Sequence, residues 1–191
     1  MPAPIDRDVR VREIRDAAFR LLSERGPAAL TIRGLATELG GSSTLVTHFF
    51  ANRAELLKGI TESAIEDYDE EIAQLEQGAD ARQRLRILLE WMLPLDEEQV
   101  RAERGRVMLI GHAESDLNVG EFFVAMDRKM RELLRSHLTG LVDEEDVDET
   151  VEFLRVFTNG VVLSVAEHPT LWDTKRQQKL LQHTLELLGV A

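Results

Sequence analysis

The stretch 31–57, TIRGLATELGGSSTLVTHFFANRAELL, decides how the amino-terminal part of the chain is expected to fold. It holds two short segments whose apolar residues recur at helical spacing: Ile32, Leu35, Ala36 and Leu39 in the first, and Leu45, Val46, Phe49 and Phe50 in the second. Thr31 and the pair Ser42-Ser43 are residue types that cap helix amino termini, and Gly40-Gly41 offers the left-handed conformation that ends a helix. Because two helices joined by so tight a turn must cross steeply, the stretch predicts a helix-turn-helix, whose second helix lies in the major groove of DNA.

The outward face of that second helix is polar. It consists of Ser43, Thr44, Thr47 and His48. These are small hydrogen-bonding groups, which suit contacts with base edges and phosphates. At the start of the first predicted helix, over 9–25, Arg7, Arg10 and Arg12 are either contacts to the DNA backbone or solvated surface residues, and the sequence leaves both interpretations open.

The charge of the chain is unevenly divided. The formal net charge is -12 over 191 residues, yet residues 1–53 hold eight arginines against six acidic residues, and residues 54–191 hold 15 basic against 29 acidic residues. Because DNA affinity depends on neutralising phosphates, we expect the acidic part to face away from the duplex. The alternative, that the acidic surface only keeps the protein soluble, stays open. The chain has no cysteine, no apolar run of membrane-spanning length and no signal-peptide apolar region, so we expect a cytoplasmic protein.

The apolar spacing along the whole chain predicts helices and no strands. Outside the helix-turn-helix, the predicted helices cover 9–25, 52–77, 81–92, 96–114, 118–140, a segment from the acidic run 143–146 to 168, and 173–188. Gly34 lies inside a helix, where glycine costs about 1 kcal/mol relative to alanine, so we expect close packing or a close approach of the DNA backbone there. We predict an all-α fold: a three-helix helix-turn-helix domain over 1–53, followed by a helical ligand-binding and dimerisation domain over 54–191.

The last two long helices predict self-association. Residues 151–166 carry Val, Phe and Leu nearly all round the helix, so this helix either lies at the centre of a core or faces a second chain. With the terminal helix it is suited to form a four-helix bundle with its copy across a two-fold axis. A homodimer also fits the function, since one helix-turn-helix reads too few bases to be selective.

With these residues in place, the chain resembles a regulator of the tetracycline-repressor (TetR) family. The positions that carry the resemblance are Gly26, Thr31, Gly40-Gly41-Ser42, Thr47-His48-Phe49-Phe50, Arg53 and Leu56-Leu57. Three of them depart from the family pattern: Gly41 stands for the usual Val of the turn, Thr47 for a phosphate-binding Tyr, and Arg53 for Lys. For DNA binding we predict contacts to base edges or to other groups in the groove from Ser43, Thr44 and Thr47. We predict contacts to phosphates from Thr31, Ser42, His48 and Arg53.

The segment EWMLPLDEEQVRAERGRVML, residues 90–109, is similar to the carboxy-terminal domain of the choline-sensing repressors within that family. The resemblance implies a small-molecule effector, of cationic or quaternary-ammonium type, held by aromatic faces and carboxylates. The candidate ligand-binding residues are Trp91, Met108, Phe122, Phe123, Met126, Phe153, Phe157 and Trp172. The alternative, that these aromatic residues are core packing, stays open.

Together these observations predict a ligand-responsive, DNA-binding transcriptional regulator. As the resemblance implies, we expect a repressor that binds a pseudo-palindromic operator as a homodimer and is released by a small-molecule effector. We predict no catalytic residues, no cofactor and no metal site, since no phosphate loop, nucleophile elbow, dinucleotide fingerprint or paired Glu-x-x-His pattern occurs. The alternatives are a helical enzyme or small-molecule carrier that retains the helix-turn-helix, and an activator.

Overall fold

The computed structural model describes residues 7–191, and the side chains of all of these except residues 22, 23 and 27. Within that part the chain is all-α, so the predicted fold class is confirmed. The helices are α1 (Arg7–Arg25), α2 (Ile32–Glu38), α3 (Ser43–Thr47), α4 (Arg53–Leu75), α5 (Ala81–Trp91), α6 (Glu97–Ile110), α7 (Leu117–Leu138), α8 (Val147–Glu167) and α9 (Thr174–Leu187). Two short 3-10 turns, at Pro27–Ala29 and Glu144–Asp146, precede α2 and α8. None of the described helices has the length and apolar character needed to cross a membrane.

The described chain forms two compact units. The first unit contains the described residues through Asp67 together with Arg104–Met126, and the second contains Tyr68–Glu103 and Asp127–Ala191. The helix-turn-helix thus shares its unit with the end of α6 and the start of α7. The functional division predicted after residue 53 is a different division of the chain and stays a prediction.

The core of the first unit explains why the helix-turn-helix is stable there. Ile14, Leu35, Val46 and Leu56 are fully buried and belong to one apolar cluster. Leu109 from α6 and Val119 from α7 complete this cluster. A three-helix domain of this size has little apolar surface to bury on its own, so Leu109 and Val119 supply part of its stabilisation.

Local signals place α1 to α3. Gly26 and Gly40 have φ of 74° and 65°, the left-handed conformation in which they end α1 and α2. The hydroxyl of Thr31 accepts a hydrogen bond from the backbone N–H of Gly34 at 2.9 Å and so caps α2. A Cβ built on Gly34 would lie 2.3 Å from the carbonyl oxygen of Ala29, so the structure places close packing at this glycine.

The second unit packs α5, α8 and α9 around the ends of α4 and α7. Its core holds the fully buried Leu85, Leu89, Leu134, Leu154 and Leu181. Helix α5 begins with a capping box, in which Asp80 accepts from the N–H of Gln83 and the Gln83 side chain accepts from the N–H of Asp80. Because Leu154 belongs to this core, one side of α8 faces it, while the opposite side of α8 is apolar and exposed.

One predicted helix end is wrong. The spacing predicted that α6 runs to about residue 114, whereas α6 ends at Ile110 and a turn follows. Within that turn the N–H of His112 donates to the carbonyl of Leu109 at 2.9 Å, and the N–H of Asp116 donates to the carbonyl of His112 at 2.9 Å. Gly111 starts this turn, and glycine disfavours helix continuation.

Candidate nucleic-acid interface

Helix α3 presents the predicted polar face to solvent. Val46 and Phe50 are buried in the core of the first unit and anchor the helix. Ser43, Thr44, Thr47 and His48 are exposed. The sequence predicts which side of α3 is exposed, because the apolar residues on one side of a short helix are buried and leave the other side in contact with solvent.

The hydroxyl groups on and before α3 differ in how far they are engaged. Ser42 occupies the cap position of α3, yet its side chain makes no cap hydrogen bond, so its hydroxyl is available to a ligand. The Thr47 hydroxyl donates to the carbonyl of Thr44 at 3.3 Å, so its oxygen remains as an acceptor. The Thr31 hydroxyl accepts from Gly34 and keeps its own proton for donation.

An open groove adjoins α3. It is lined by Arg7 and Arg10 from α1 and by Ser42, Thr44, Leu45, His48 and Phe49. Arg10 donates to the carboxylate of Glu13 at 2.6 Å, an exposed contact within one helix that costs little to break. The His48 ring packs edge-on against the Phe49 ring with centroids 5.1 Å apart, which orients the imidazole. The groove therefore combines two arginines with hydroxyl and imidazole groups, a chemistry suited to phosphate oxygens.

Arg53 has partners within the chain. Its Nε donates to the carbonyl of Leu30 at 3.0 Å, and its Nη1 pairs with the carboxylate of Asp116. Burial raises the pKa of the Asp116 carboxyl, but the hydrogen bond and charge of Arg53, with two hydrogen bonds from Asn118, outweigh it and lower that pKa below its usual value. The predicted phosphate contact by Arg53 stays a prediction, and any such contact has to compete with Asp116.

Helix α4 is also tied to α1. Arg15 Nη1 donates to the carbonyl of Ser63 at 3.2 Å and pairs with the carboxylate of Asp67. The Arg15 side chain is 15% exposed, so this contact is better shielded from water than an ordinary surface pair. The position of α4 within the first unit is thus set at its first residue by Arg53 and about three to four turns later by Arg15.

The candidate ligand-binding residues are divided between the two units. Met108, Phe122, Phe123 and Met126 lie in the first unit, and Trp91, Phe153, Phe157 and Trp172 lie in the second. In the first unit the rings of Phe122 and Phe123 are 5.2 Å apart, and Phe122 is buried in the protein. Met108 is half exposed, and its methyl group lies 3.2 Å from the place a Cβ on Gly26 would take.

In the second unit these aromatic residues have different surroundings. The Trp91 ring packs edge-on against Tyr68 with centroids 4.8 Å apart, next to the core of that unit. The guanidinium of Arg176 lies over the Trp172 ring at 4.9 Å, so one face of this indole already carries a cation. Phe153 is 48% exposed on α8 and lines an open groove with Leu187 and Leu188. A ligand pocket formed by these residues stays a prediction.

The comparisons with known families decide the class of protein. Residues 81–189, more than half of the chain, match the family described as BetI-type transcriptional repressor, C-terminal. Residues 14–60 match the family described as bacterial regulatory proteins, tetR family. The chain belongs to the TetR family. It is therefore a DNA-binding transcriptional regulator and not an enzyme, as the sequence predicted.

Relatives and solved structures agree with the TetR assignment. The chain is similar to HTH-type transcriptional regulator PksA of Bacillus subtilis (strain 168), with 26% identity over 100% of this chain and 95% of the relative. It is also similar to HTH-type transcriptional regulator BetI of Rhizobium meliloti (strain 1021), with 23% identity over 81% of this chain and 77% of the relative.

Two solved structures share the fold of this TetR-family chain. A transcriptional regulator from Rhodococcus sp. Rha1 matches with a TM-score of 0.78 and 19% identity, over 93% of this chain and 95% of that one. A transcriptional regulator from Saccharomonospora viridis in complex with choline matches with a TM-score of 0.72 and 22% identity, over 92% of this chain and 95% of that one.

Sequence reasoning missed two residues of this TetR-family regulator. Asp116 was not recognised as the partner of Arg53, because the two lie 63 positions apart and no local pattern links them. The available signal was the start of α7, where an Asp two residues before Asn118 is a typical helix cap. Tyr68 was not recognised as the neighbour of Trp91, because the two lie on different helices.

Proposed function

We propose that this TetR-family regulator is a repressor that binds a pseudo-palindromic operator as a homodimer and is released by a small-molecule effector. The observation that carries the proposal is the outward polar face of α3, next to the groove lined by Arg7 and Arg10. Polar groups at the surface of a short helix with a buried apolar side are what base reading in a major groove requires. We expect the protein to act in the cytoplasm, where the chromosome is accessible.

The residues of the interface divide by role. We assign contacts to base edges to Ser43, Thr44 and Thr47, whose side chains are exposed on α3. Contacts to phosphates are assigned to Thr31, Ser42, His48 and Arg53, and Arg7 and Arg10 line the groove together with Ser42 and His48. Phosphate contacts position the protein and base contacts select the sequence, so changes at the two groups have different effects.

The homodimer is proposed to form through α8 and α9. Exposed apolar side chains follow one face of α8 and continue onto α9: Phe153, Val156, Leu163 and Leu187 are each between 47% and 72% exposed. Phe153 and Leu187 line the same groove, so the two helices present one continuous surface. Contiguous apolar surface of this kind is typical of a protein interface, and a two-fold interface pairs it with itself.

The proposed effector is a quaternary-ammonium compound. Three observations support this class: the match to the BetI-type family over 81–189, the structural neighbour in complex with choline, and the aromatic pair Tyr68–Trp91 beside the core of the second unit. Aromatic faces attract such cations. By linkage, effector and operator weaken each other's binding, by about 5- to 150-fold for a coupling of about 1 to 3 kcal/mol.

The test is a titration of fluorescently labelled DNA from the region upstream of the regulator's own gene. We expect binding that weakens steeply between about 50 and about 200 mM salt. Thr44→Ala should weaken binding to this duplex more than to a mixed-sequence duplex, and His48→Ala should weaken both alike. Addition of choline should release the upstream duplex.

The possible outcomes separate the parts of the proposal. Absence of any salt-sensitive binding contradicts the assigned interface. Binding that choline leaves unchanged contradicts the effector class but not the DNA-binding role. Transcription from the upstream promoter that rises when the protein is added would identify an activator rather than a repressor.

A further inference from the structure

Arg53 is the first residue of α4 and is assigned to a phosphate, yet its guanidinium is held within the chain. Nε donates to the carbonyl of Leu30 at 3.0 Å, and Nη1 pairs with Oδ2 of Asp116. The two side chains are 31% and 24% exposed, so the pair is partly accessible to solvent. The contact lies inside the first unit and does not depend on any partner molecule.

The two carboxylate oxygens of Asp116 perform separate tasks. Oδ1 accepts hydrogen bonds from the backbone N–H of Asn118 at 3.1 Å and from its side-chain amide at 3.3 Å. These bonds, with the Asp116 carbonyl accepting from Val119 and Gly120 at 3.0 Å each, begin α7. Oδ2 is the oxygen that contacts Arg53. Oδ1 is therefore the oxygen that caps the start of α7, and Oδ2 is the oxygen that pairs with Arg53.

A carboxylate and a phosphate present the same feature to an arginine, namely two anionic oxygens that match the guanidinium fork. An aspartate in this position is therefore an internal competitor for the group that would bind the DNA backbone. Arg53 also lies in the segment matched to the tetR family, whereas Asp116 lies in the segment matched to the BetI-type carboxy-terminal family. The pair thus joins the DNA-binding segment to the turn between α6 and α7.

We propose that Asp116 sets the DNA affinity of this regulator by competing with an operator phosphate for Arg53. DNA binding then exchanges one partner of the guanidinium for another, and the position of the turn before α7 determines how easily the exchange occurs. This inference rests on the proposed function, since it requires that the protein bind DNA. It adds a residue outside the helix-turn-helix to those that determine affinity.

The decisive variant is Asp116→Asn, because asparagine is also a helix cap and keeps an oxygen for Asn118. The group that then replaces Oδ2 beside Arg53 is an amide nitrogen, which donates hydrogen bonds and cannot accept one from the guanidinium. We expect about three- to tenfold tighter binding at about 50 mM salt, on both the upstream duplex and a mixed-sequence duplex. The slope of log K against log salt should become steeper by about one for each subunit, as for one added phosphate contact. Fluorescence anisotropy over a salt series measures both quantities.

Two matched variants separate competition from a general charge effect. Glu114→Gln removes the same charge from an exposed residue two positions away and should leave the slope unchanged. In an Arg53→Ala background, Asp116→Asn should lose most of its gain, because no guanidinium remains to be released. Serine also caps helices but is too short to reach Arg53, so Asp116→Ser should behave like Asp116→Asn. This second variant keeps the test valid if one of the two misfolds. Circular dichroism checks that each variant is helical.

Each outcome bears on the inference. Unchanged or weaker binding by both Asp116 variants, or an equal gain with and without Arg53, overturns the competition while leaving the DNA-binding role intact. If the unchanged protein binds neither duplex, the proposed function fails, and this inference fails with it.

Discussion

Gly34 is a single residue whose replacement tests how tightly the helix-turn-helix is packed. An added Cβ would lie 2.3 Å from the Ala29 carbonyl oxygen and 3.1 Å from the Thr31 hydroxyl that caps α2. Helix propensity alone favours Gly34→Ala by about 1 kcal/mol. We expect the opposite sign, a loss of about 1 to 3 kcal/mol in the free energy of unfolding, because the contact is with backbone and overpacking is costly. Urea denaturation followed by circular dichroism measures it, and a more stable variant would contradict the packing argument.

Asp127 is the residue whose ionisation should affect the acid stability of the second unit. It accepts from Arg131 at 2.6 Å and from Arg155 at 2.8 Å. Burial raises the pKa of the Asp127 carboxyl, but the two arginines outweigh it and lower that pKa below its usual value. A pKa that is lower in the folded than in the unfolded state stabilises the fold above the unfolded value, and the stabilisation is lost as the pH falls through the folded value.

The prediction for Asp127→Asn follows from that sign. The variant should be less stable at neutral pH, and its melting temperature should fall less steeply than that of the unchanged protein below about pH 4. Asp143→Asn is the matched control, since Asp143 is exposed and its side chain makes no cap hydrogen bond. Melting curves from neutral to acid pH measure the difference. Parallel pH profiles for Asp127→Asn and the unchanged protein would show that the arginine contacts contribute nothing.

The sequence predicted where most of the helices begin and end, but few of the contacts between helices. Caps and glycines act within a few residues, so the starts of α2, α5 and α9 were found at or next to Thr31, Asp80 and Asp173. The predicted end of α6 was wrong because the prediction carried the helix past Ile110, the last apolar position of the pattern, whereas the backbone turns from Gly111 onward. The pairing of Arg53 with Asp116 had no local signal, since only tertiary packing brings them together. For the same reason, the sequence could indicate that aromatic residues are candidates for ligand binding but could not show which of them lie close together.

The exposed face of α8 gives the prediction that belongs to helices. Val156 is 69% exposed at the centre of the apolar stripe, and a charge there would have to be desolvated in a dimer. We expect Val156→Glu to sediment as a monomer in analytical ultracentrifugation and to bind the upstream duplex at least tenfold more weakly, with an unchanged helical spectrum. Val124→Glu places the same charge on an exposed valine of α7 and should remain a dimer. A dimer of unchanged affinity with Val156→Glu would exclude this face.

At the scale of the whole molecule, the net charge of -12 opposes binding to a polyanion. Binding therefore depends on the local balance in residues 1–53, where arginines outnumber acidic residues, and on the arginines that line the groove beside α3. A single head with so few phosphate contacts binds weakly and reads few bases. The two helix-turn-helix domains of a dimer raise the affinity only if both bind the same duplex at the same time.

The spacing of operator half-sites tests whether the two heads act together. In a two-fold dimer the recognition helices enter grooves on one face of the duplex, about one helical turn or a multiple of it apart. Inserting about five base pairs at the centre of the upstream site turns the half-sites to opposite faces, so we expect binding to fall to the level of a mixed-sequence duplex. Inserting about ten base pairs restores the face but lengthens the span, and it should recover only part of the affinity, because a dimer joined through α8 and α9 holds its heads at one distance. Binding that is indifferent to both insertions would mean that each head binds alone, and the proposed dimer would then have no role in operator selection.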